Sequence, residues 1–359
     1  MKSLGKIIIT IVILALAGTM IFFSFEENQK WFVRYLDSFS TSEKEVVEIR
    51  HIPGEGLRYI NGRYLKWNKE KMTVSDESGK ILWERTFLMD DPRLVIYDNL
   101  IGVYDRVSGE AIVINFNGKI VTQIEEDSQI FSFKPGKDGH IVHIKEEGRE
   151  LLKIYEVNGE HRENLIFTDN YPIEYRLDAG GAMVTLLELE GNGLGTRMIM
   201  YNAEGEEELY SVHDQVIIKV LDIGDDRLIV TETGIYLQRN KQVIWGRELP
   251  LLKDVLVDGN EIYAIYGDNL RIIGMDGETI SEMTFGIDYE KLHAHGKYII
   301  LAGEKNLLVL RHKEQVTVHS FNWEIVDIQS QFNDLIVTTQ NGVSIVRIED
   351  KLVEEEETE

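Results

Sequence analysis

The sequence predicts an all-β protein folded as an eight-bladed β-propeller, preceded by one transmembrane helix. A hairpin signature recurs seven times, most clearly as DESGKILWE at residues 76–84, and short apolar strands fill the intervals between copies. The turn position of the signature falls at Gly79, Gly118, Gly159, Gly205, Lys241, Gly277 and Lys313, with gaps of 39, 41, 46, 36, 36 and 36 residues. A repeat of about 35 to 45 residues containing several short strands is typical of a propeller.

Each repeat contains enough strands for one blade. From Glu45 to about Ile348, runs rich in Ile, Val, Leu and Tyr alternate with Gly, Asn and Asp turns, as in strands joined by hairpins. Three runs precede each signature turn and a fourth follows it. Five of the seven fourth strands end in an apolar residue at the same offset, namely Phe87, Phe167, Leu249, Phe285 and Phe321. This shared offset predicts equivalent packing positions between neighbouring blades.

Two signature turns lack the glycine. Glycine tolerates a positive φ at little cost, but Lys241 and Lys313 replace it in the fifth and seventh copies. Either these turns do not need a positive φ, or Asn240 takes the strained conformation in the fifth copy.

The last repeat is incomplete. Residues 324–348 contain three strands and no fourth, whereas residues 45–51 (EVVEIRH) form an additional strand ahead of the first repeat. An open ring would expose unpaired backbone edges. We therefore expect residues 45–51 to complete the last blade, which gives eight blades. A seven-bladed ring is the alternative.

The N-terminus predicts a membrane anchor. Residues 7–23 carry no charge, and the apolar zone at residues 4–25 is long enough to span about 30 Å of hydrocarbon as a helix. Lysines precede this zone and glutamates follow it, so the rest of the chain is expected outside the cytoplasm. The alternative is a signal peptide cleaved after residues 15–17 (ALA), although the apolar run continues beyond them.

Four segments follow from these patterns. They are a cytoplasmic stub and anchor at residues 1–25, a juxtamembrane stalk at 26–44, the propeller at 45–350 and an acidic, disordered tail at 351–359.

Composition narrows the function. The formal net charge is -24, and the chain beyond the anchor has 36 basic and 62 acidic residues. This balance argues against nucleic acid as a partner, because binding phosphates requires basic patches. The chain contains no cysteine, which excludes disulfides and lipid attachment at an N-terminal cysteine.

The signature resembles the repeat of pyrroloquinoline-quinone-type and WD40-like propellers. Asp76, Gly79, Lys80 and Trp83 match the turn and the tryptophan of that repeat, and Trp245 has the same offset from Lys241. The resemblance implies the fold, with these tryptophans packed between blades, and does not imply a reaction. The layout is similar to uncharacterised membrane-anchored propeller proteins of Gram-positive bacteria. The propeller also resembles the scaffold lipoproteins of the outer-membrane assembly machinery, from which it departs in lacking the lipid-attachment cysteine.

Candidate catalytic and metal residues are few. The vicinal cysteines of quinoprotein dehydrogenases are missing. The pairs His140/His143 and His293/His295 lack an identifiable third metal ligand, although His293 and His295 would share a strand face. The acid pairs Asp90-Asp91 and Asp225-Asp226 have the pattern of ordinary turns, and the glycine-rich residues 191–195 have that of a hairpin loop. No catalytic, cofactor-binding or metal residue is therefore assigned.

The sequence favours a binding function without catalysis. We expect an extracytoplasmic scaffold that binds a protein partner at the membrane or cell wall, with no cofactor. Only structural repeat residues are assigned, namely Asp76, Gly79, Lys80, Trp83, Gly118, Gly159, Gly205, Trp245 and Gly277. The alternative is an extracellular glycan hydrolase or lyase with carboxylates at the propeller axis. An enzyme should have a deep pocket with converging acids, and a scaffold should have an exposed apolar patch.

Overall fold

The computed structural model describes residues 44–97, 99–178, 181–190, 193–202, 207–311 and 313–350. These residues form eight four-stranded sheets, so the prediction of an all-β, eight-bladed propeller is confirmed. The predicted anchor, nearly all of the stalk, Gly205 and the acidic tail lie outside the described residues. Among the described residues, no helix has the length and apolar character needed to cross a membrane.

We number the blades 1 to 8 along the chain and list their strands from the innermost outward. Blade 1 comprises β2 Leu57–Ile60, β3 Arg63–Trp67, β4 Lys71–Ser75 and β5 Ile81–Thr86, and blade 2 comprises β6 Pro92–Tyr97, β7 Leu100–Asp105, β8 Glu110–Asn115 and β9 Ile120–Glu125. Blade 3 comprises β10 Ile130–Gly136, β11 Gly139–Glu146, β12 Arg149–Tyr155 and β13 His161–Phe167, and blade 4 comprises β14 Tyr171–Asp178, β15 Gly181–Glu190, β16 Gly193–Asn202 and β17 Glu207–His213.

Blade 5 comprises β18 Ile217–Ile223, β19 Asp226–Thr231, β20 Gly234–Arg239 and β21 Gln242–Glu248, and blade 6 comprises β22 Leu252–Asp258, β23 Glu261–Tyr266, β24 Asn269–Gly274 and β25 Thr279–Thr284. Blade 7 comprises β26 Tyr289–His295, β27 Tyr298–Gly303, β28 Asn306–Arg311 and β29 Glu314–Ser320, and blade 8 comprises β30 Ile325–Gln331, β31 Asp334–Thr339, β32 Gly342–Asp350 and β1 Lys44–Pro53.

Blade 8 joins the two ends of the domain. Its strand order is β1-β32-β31-β30, so the first strand of the chain completes the last sheet, as the sequence predicted. The His51 ring Nδ1 lies 2.9 Å from the Ser344 hydroxyl, and the Gly54 N–H donates to the Asn341 carbonyl at 2.9 Å.

The described chain divides into two compact units. The five-blade unit comprises Ile52–Lys253 with Gln340–Val343 and contains blades 1 to 5. The three-blade unit comprises residues 44–51, Asp254–Thr339 and residues 344–350, and contains most of blades 6 to 8.

The residue at or just after the end of the fourth strand packs against the next blade. Phe87 lies in a buried cluster with blade 2, Phe167 with blade 4 and Phe321 with blade 8, so the predicted packing position is confirmed there. Blade 2 has Glu126 at this position instead. The buried Glu126 carboxylate accepts a hydrogen bond from the Tyr155 hydroxyl and lies 2.6 Å from the Lys153 Nζ. A polar pair thus replaces the apolar contact between blades 2 and 3.

The signature turns adopt a positive φ whether or not they contain glycine. At Gly79, Gly118, Gly159 and Gly277, φ is between 81° and 88°. The hypothesis that the turns at Lys241 and Lys313 avoid a positive φ is wrong, because φ is 64° at Lys241 and 71° at Lys313. Asn240 is also positive, at 48°, so both central residues of that turn are left-handed.

Close contact between blades also requires glycine at two of these turns. A Cβ on Gly118 would lie 2.8 Å from the Trp83 ring, and a Cβ on Gly159 would lie 2.1 Å from the Thr122 hydroxyl. Trp83 and Thr122 occupy equivalent positions, four residues after their own turns. Gly79 has open space around it, so only its positive φ favours glycine at this position.

A β-bulge follows each of the seven signature turns. The register shifts leave one unpaired residue in each of the seven outermost strands, namely Leu82, Val121, Arg162, Tyr210, Ile244, Ile280 and Val316. Bulges on exposed strands twist the edge and discourage pairing with another sheet.

Candidate functional site

The innermost strands also carry β-bulges at a repeated position. Register shifts in blades 3, 4, 5, 7 and 8 leave Phe131, Ile173, Ile218, Glu290 and Val326 as the unpaired residues. Each bulge lies near the beginning of its strand, close to the connection from the preceding blade. A bulge redirects a side chain away from the regular pleat and is frequent beside binding sites.

Three consecutive blades have an apolar, exposed residue at this bulge. Phe131, Ile173 and Ile218 expose 43%, 39% and 47% of their surface, and we call them the inner apolar row. Their strands are neighbours in the five-blade unit. The Lys134 Nζ on β10 lies 2.9 Å from the Glu174 carboxylate on β14. The Arg176 guanidinium on β14 donates to the Val220 carbonyl on β18 at 3.4 Å.

The row belongs to the connection face of the five-blade unit. We define this face as the end that carries the blade-to-blade connections and the turns between second and third strands. Further exposed hydrophobic residues lie on this face, namely Leu88, Val107, Tyr171 and Leu251. Leu251 has a φ of 59°, although it is neither glycine nor asparagine. An exposed apolar patch of this kind indicates an interaction surface.

Acidic loops accompany the apolar residues. Asp91 is paired with Arg93 at 3.1 Å and lies 3.9 Å from Arg106. The other exposed acids in the loops of this face form no ion pair with any residue that the structure describes; they are Glu55, Glu70, Asp90, Asp127, Glu147, Asp169, Asp214 and Glu232. Lys69 is the one described basic loop residue here without an ion pair. The connection face is therefore apolar and strongly acidic.

The loops at the opposite end of this unit are more evenly charged. The acidic residues described in those turns are Asp76, Glu77, Asp138, Glu156, Glu160 and Asp225, and the basic ones are Lys80, Lys119, Lys137 and Lys241. Among the loop residues that the structure describes, the acidic excess is thus larger on the connection face.

Asp105 fixes two loops of the connection face. Its buried carboxylate, at the end of β7, accepts hydrogen bonds from the backbone N–H groups of Asp90, Asp91 and Val107 at 2.9 to 3.0 Å, and from the Ser108 hydroxyl at 2.8 Å. Burial alone would raise the pKa of Asp105, but these hydrogen bonds outweigh it and lower the pKa to about 2. The carboxylate stays ionised and holds both loops in place.

A buried polar network lies behind Phe131. The His143 ring packs edge-on against Phe131, with centroids 5.0 Å apart. Its Nε2 lies 2.6 Å from the Glu150 carboxylate, and its Nδ1 lies 3.3 Å from the Tyr175 hydroxyl, which also contacts Ser132. Because Glu150 accepts the Nε2 proton, Tyr175 donates to Nδ1 and accepts from Ser132.

This network is neutral at its centre. Burial lowers the pKa of His143, despite the hydrogen bond to Glu150 that opposes the shift, and burial raises the pKa of Tyr175 to about 12. Lys145 offsets the Glu150 charge at 3.2 Å, and its Nζ also lies 3.8 Å from the centre of the Phe131 ring. The satisfied network gives Phe131 a rigid support.

The histidine pair in blade 3 does not converge. The His140 Nδ1 accepts the Gly136 N–H at 3.3 Å, and its Nε2 donates to the Val157 carbonyl at 3.3 Å. His143 belongs to the separate network with Glu150 and Tyr175.

The pair in blade 7 does share a face. The His293 Nε2 and the His295 Nδ1 lie 2.8 Å and 2.9 Å from the same Ser330 hydroxyl. The Ser330 hydroxyl donates to the Ala294 carbonyl at 3.1 Å, so its oxygen can accept from both rings. The His295 Nε2 also lies 3.4 Å from the Asn333 carbonyl. Burial lowers the pKa of both histidines, which agrees with neutral rings. No group of three or more potential metal ligands occurs among the described residues.

The predicted repeat residues lie in the turns and outer strands. One Asp76 carboxylate oxygen accepts the N–H groups of Ser78 and Lys80 at 2.9 and 3.0 Å. The Trp83 indole N–H donates to the Phe116 carbonyl of the next blade at 3.0 Å. Trp245 is half-buried in β21, opposite Leu237.

The acid pairs lie at turns, as predicted, but the predicted loop at residues 191–195 is wrong for residues 193–195, which pair with β15 as a strand. Asp226 follows the turn between β18 and β19 and binds Arg239 at 2.6 and 2.7 Å. Asp90 and Asp91 form the connection into blade 2. Within residues 191–195, the last three belong to β16, and the first two lie outside the described residues.

A pocket of about 300 Å³ lies near the other end of the inner strands of blades 2 to 4. Its walls are mainly apolar, with Val95, Pro135, Ile141 and Leu177 among them. Of its two carboxylates, Glu174 forms the ion pair with Lys134 and Asp138 lies in the neighbouring turn. Glu174 is thus neutralised by Lys134 within this pocket.

One protein-family model matches most of this chain. The model of DUF5711, a family of unknown function, matches residues 39–348. The chain belongs to this family. None of the curated proteins matches it.

Solved structures share the propeller fold. BamB from Moraxella catarrhalis superposes with a TM-score of 0.61 at 13% identity, covering 84% of this chain and 97% of that one. Sqt1 from Saccharomyces cerevisiae gives 0.58 at 9% identity, with 86% and 99% covered, and a eukaryotic initiation factor gives 0.54 at 14%, with 88% and 90% covered. At these identities the likeness shows the fold alone. The BamB superposition agrees with the resemblance to quinone-type repeats at that level.

Proposed function

We propose that this protein is a non-catalytic binding module that docks a basic, partly apolar segment of a partner protein. The docking surface is the connection face of the five-blade unit. The observation that carries the proposal is the inner apolar row, exposed on three neighbouring strands and accompanied by acidic loops without ion pairs. Proteins keep such apolar surface exposed chiefly where a partner covers it.

The row supplies the apolar part of the binding energy. Phe131, Ile173 and Ile218 are each about half exposed, so covering them contributes on the order of 1 kcal/mol per side chain. The hydrogen-bonded network behind Phe131 keeps that ring in place before binding, which reduces the entropy lost on association. Leu251 adds an exposed side chain held in a strained conformation, a feature that clusters at functional sites.

The acidic loops determine the sign of the charge that the partner segment carries. Asp127, Asp169 and Asp214 lie in the connections that border the row, and no described residue forms an ion pair with them. A segment with Lys or Arg around its apolar residues would neutralise them. Such complementarity raises the association rate and rejects acidic proteins.

The proposed location is outside the cell membrane. The uncharged residues 7–23, with lysines before them and glutamates after them, support a single N-terminal anchor with the propeller on the extracytoplasmic side. The anchor raises the local concentration of any partner that is itself in the membrane or cell wall.

In-cell photo-crosslinking tests the docking surface. A photoreactive phenylalanine analogue replaces Ile218 in the full chain, and the control places it at Ile244, an outer-strand bulge residue of the same blade with similar exposure. We expect a reproducible crosslink to a basic partner segment from position 218 and none from position 244. Equal crosslinking from both positions, or no protein crosslink at 218, would overturn the proposal.

A further inference from the structure

One strained aromatic residue in the three-blade unit has no contact among the described residues that would explain its strain. Each described hairpin between first and second strands has a two-residue turn. In blades 6 and 7 its first residue is glycine, with φ of 59° at Gly259 and 57° at Gly296. The equivalent residue in blade 8 is Phe332, with φ of 50°. An aromatic residue thus occupies a position whose backbone conformation favours glycine.

Burial does not offset this strain. Phe332 is 95% exposed, so its ring gains almost no packing energy within the described chain. A strained and exposed apolar side chain indicates a function outside the fold itself.

Phe332 lies at the end of blade 8 where the chain enters the propeller. The Gly54 N–H bonds to Asn341, in the turn between β31 and β32, so the end of β1 lies beside that turn. The turn at residues 332–333 lies at the opposite end of blade 8, and so does the first residue of β1, Lys44. The chain that follows the predicted anchor therefore arrives on the side of Phe332.

The surroundings of Phe332 suit a lipid surface. Lys297 occupies the neighbouring turn of blade 7, and the His295 contact with the Asn333 carbonyl joins the two strand ends. Aromatic residues with nearby lysines are typical of membrane interfaces. The described turns at this end of the unit contain two acidic and two basic residues, Asp276, Glu278, Lys297 and Lys313. Strand β32 also ends here, and the acidic residues 351–359 follow it in the sequence. The loops at the other end contain Asp268, Asp288, Glu304 and Glu324 against Lys305.

We propose that Phe332 inserts into the headgroup region of the bilayer to which the chain is anchored. The inference rests on the membrane location in the proposed function and adds an orientation. The turn at residues 332–333 faces the lipid, and the opposite end of blade 8 faces away from it.

Single-site labelling of the full chain tests this orientation, because the chain contains no cysteine. Phe332→Cys carries a polarity-sensitive fluorophore in phosphatidylcholine vesicles that contain a fraction of headgroup-proximal spin-labelled lipid. The control is Trp323→Cys, an exposed aromatic position in the connection between blades 7 and 8, at the opposite end of blade 8. We expect a blue shift and at least about twofold quenching at position 332, and neither at 323.

Vesicle flotation separates the possible failures. If the protein floats with the vesicles and the label at 332 is not quenched, or is quenched no more than the label at 323, the inference is wrong while the anchored location stands. If the protein does not float, the proposed location fails and takes the inference with it.

Phe332→Gly provides an independent test, because glycine fits the observed φ. We expect the thermal midpoint of the full chain to be unchanged or higher, since the ring packs on nothing in the described chain. A clearly lower midpoint would mean that Phe332 stabilises the fold, and the inference would be wrong.

Discussion

The innermost and outermost strands carry the same distortion with different consequences. Each outermost strand that follows a signature turn has a bulge, and its bulged residue is aliphatic in five of the seven strands. The innermost strands of blades 3 to 5 have a bulge with an apolar residue each time, beside acidic loops. The outer bulge is a property of the repeat and protects a sheet edge. Apolar residues also occupy the inner bulge of blade 8 and most outer bulges. What distinguishes the inner row is its place on three neighbouring blades beside acidic loops without ion pairs, and this combination indicates binding.

The largest expected effect concerns the repeated outer turns. Gly118→Ala must tolerate a Cβ at positive φ and a clash with the Trp83 ring, so we expect a loss of about 2 to 4 kcal/mol in unfolding free energy. Gly79→Ala has a similar φ but open space, and we expect about 1 to 2 kcal/mol. Denaturant unfolding of both variants measures the difference. Equal losses would show that contact between blades does not constrain the turn.

The second effect concerns the loops of the connection face. Asp105→Asn replaces one acceptor oxygen with an amide that cannot accept the Asp90 N–H or the Ser108 hydroxyl, so we expect a loss of about 1.5 to 3 kcal/mol at neutral pH. Asp76→Asn is the control. All its hydrogen bonds use one oxygen, and Asn115 accepts the equivalent bonds in blade 2, so we expect little change.

The contribution of Asp105 to stability also depends on pH in a defined direction. The folded pKa of Asp105, about 2, is below the usual value of an unfolded aspartate, about 4. Its contribution is therefore complete above about pH 4 and is lost as the pH falls towards 2. Acid titration of stability should show this component in the parent chain and not in Asp105→Asn. An identical acid response would contradict the assigned role of Asp105.

These contrasts also show what the sequence could predict. The signature turns were recognised because Asp76 and Gly79 answer to local rules, namely side-chain bonding to the nearby backbone and a positive φ. The eighth blade followed from the orphan strand at residues 45–51 and the need to close the ring. The positive φ at Lys241 and Lys313 is not visible in the sequence, because the fold imposes a conformation that these side chains disfavour.

The candidate site was less accessible to sequence analysis. The inner bulges depend on pairing between strands, and Phe131 or Ile218 alone looks like any apolar residue of a strand. The Asp105 carboxylate accepts hydrogen bonds from the backbone N–H groups of Asp90 and Asp91, which precede it by two strands. The acid pair and the residue that holds it in place are therefore far apart in the sequence. An aspartate three residues before Ser108 was the available local signal, since such residues often cap turns.

The smallest expected effect concerns the rate of association. Asp127→Asn, Asp169→Asn and Asp214→Asn together should slow association with the partner several-fold at low salt, because exposed charges act mainly through long-range attraction. The dissociation rate should change little, and the difference should disappear at high salt. Stopped-flow or surface-based kinetics measures both rates. A change confined to dissociation would contradict the proposed steering role.

The most direct test of the central claim compares two matched triple variants. The affinity of each variant for the crosslinked partner is measured. Phe131→Ser, Ile173→Ser and Ile218→Ser remove the inner apolar row, and Leu82→Ser, Ile244→Ser and Ile280→Ser remove apolar outer bulges of similar exposure. We predict that the inner triple variant raises the Kd by roughly 100-fold, corresponding to about 1 kcal/mol per side chain, while the outer one leaves it unchanged. An unchanged Kd in the inner variant, or equal losses in both folded variants, would contradict the account.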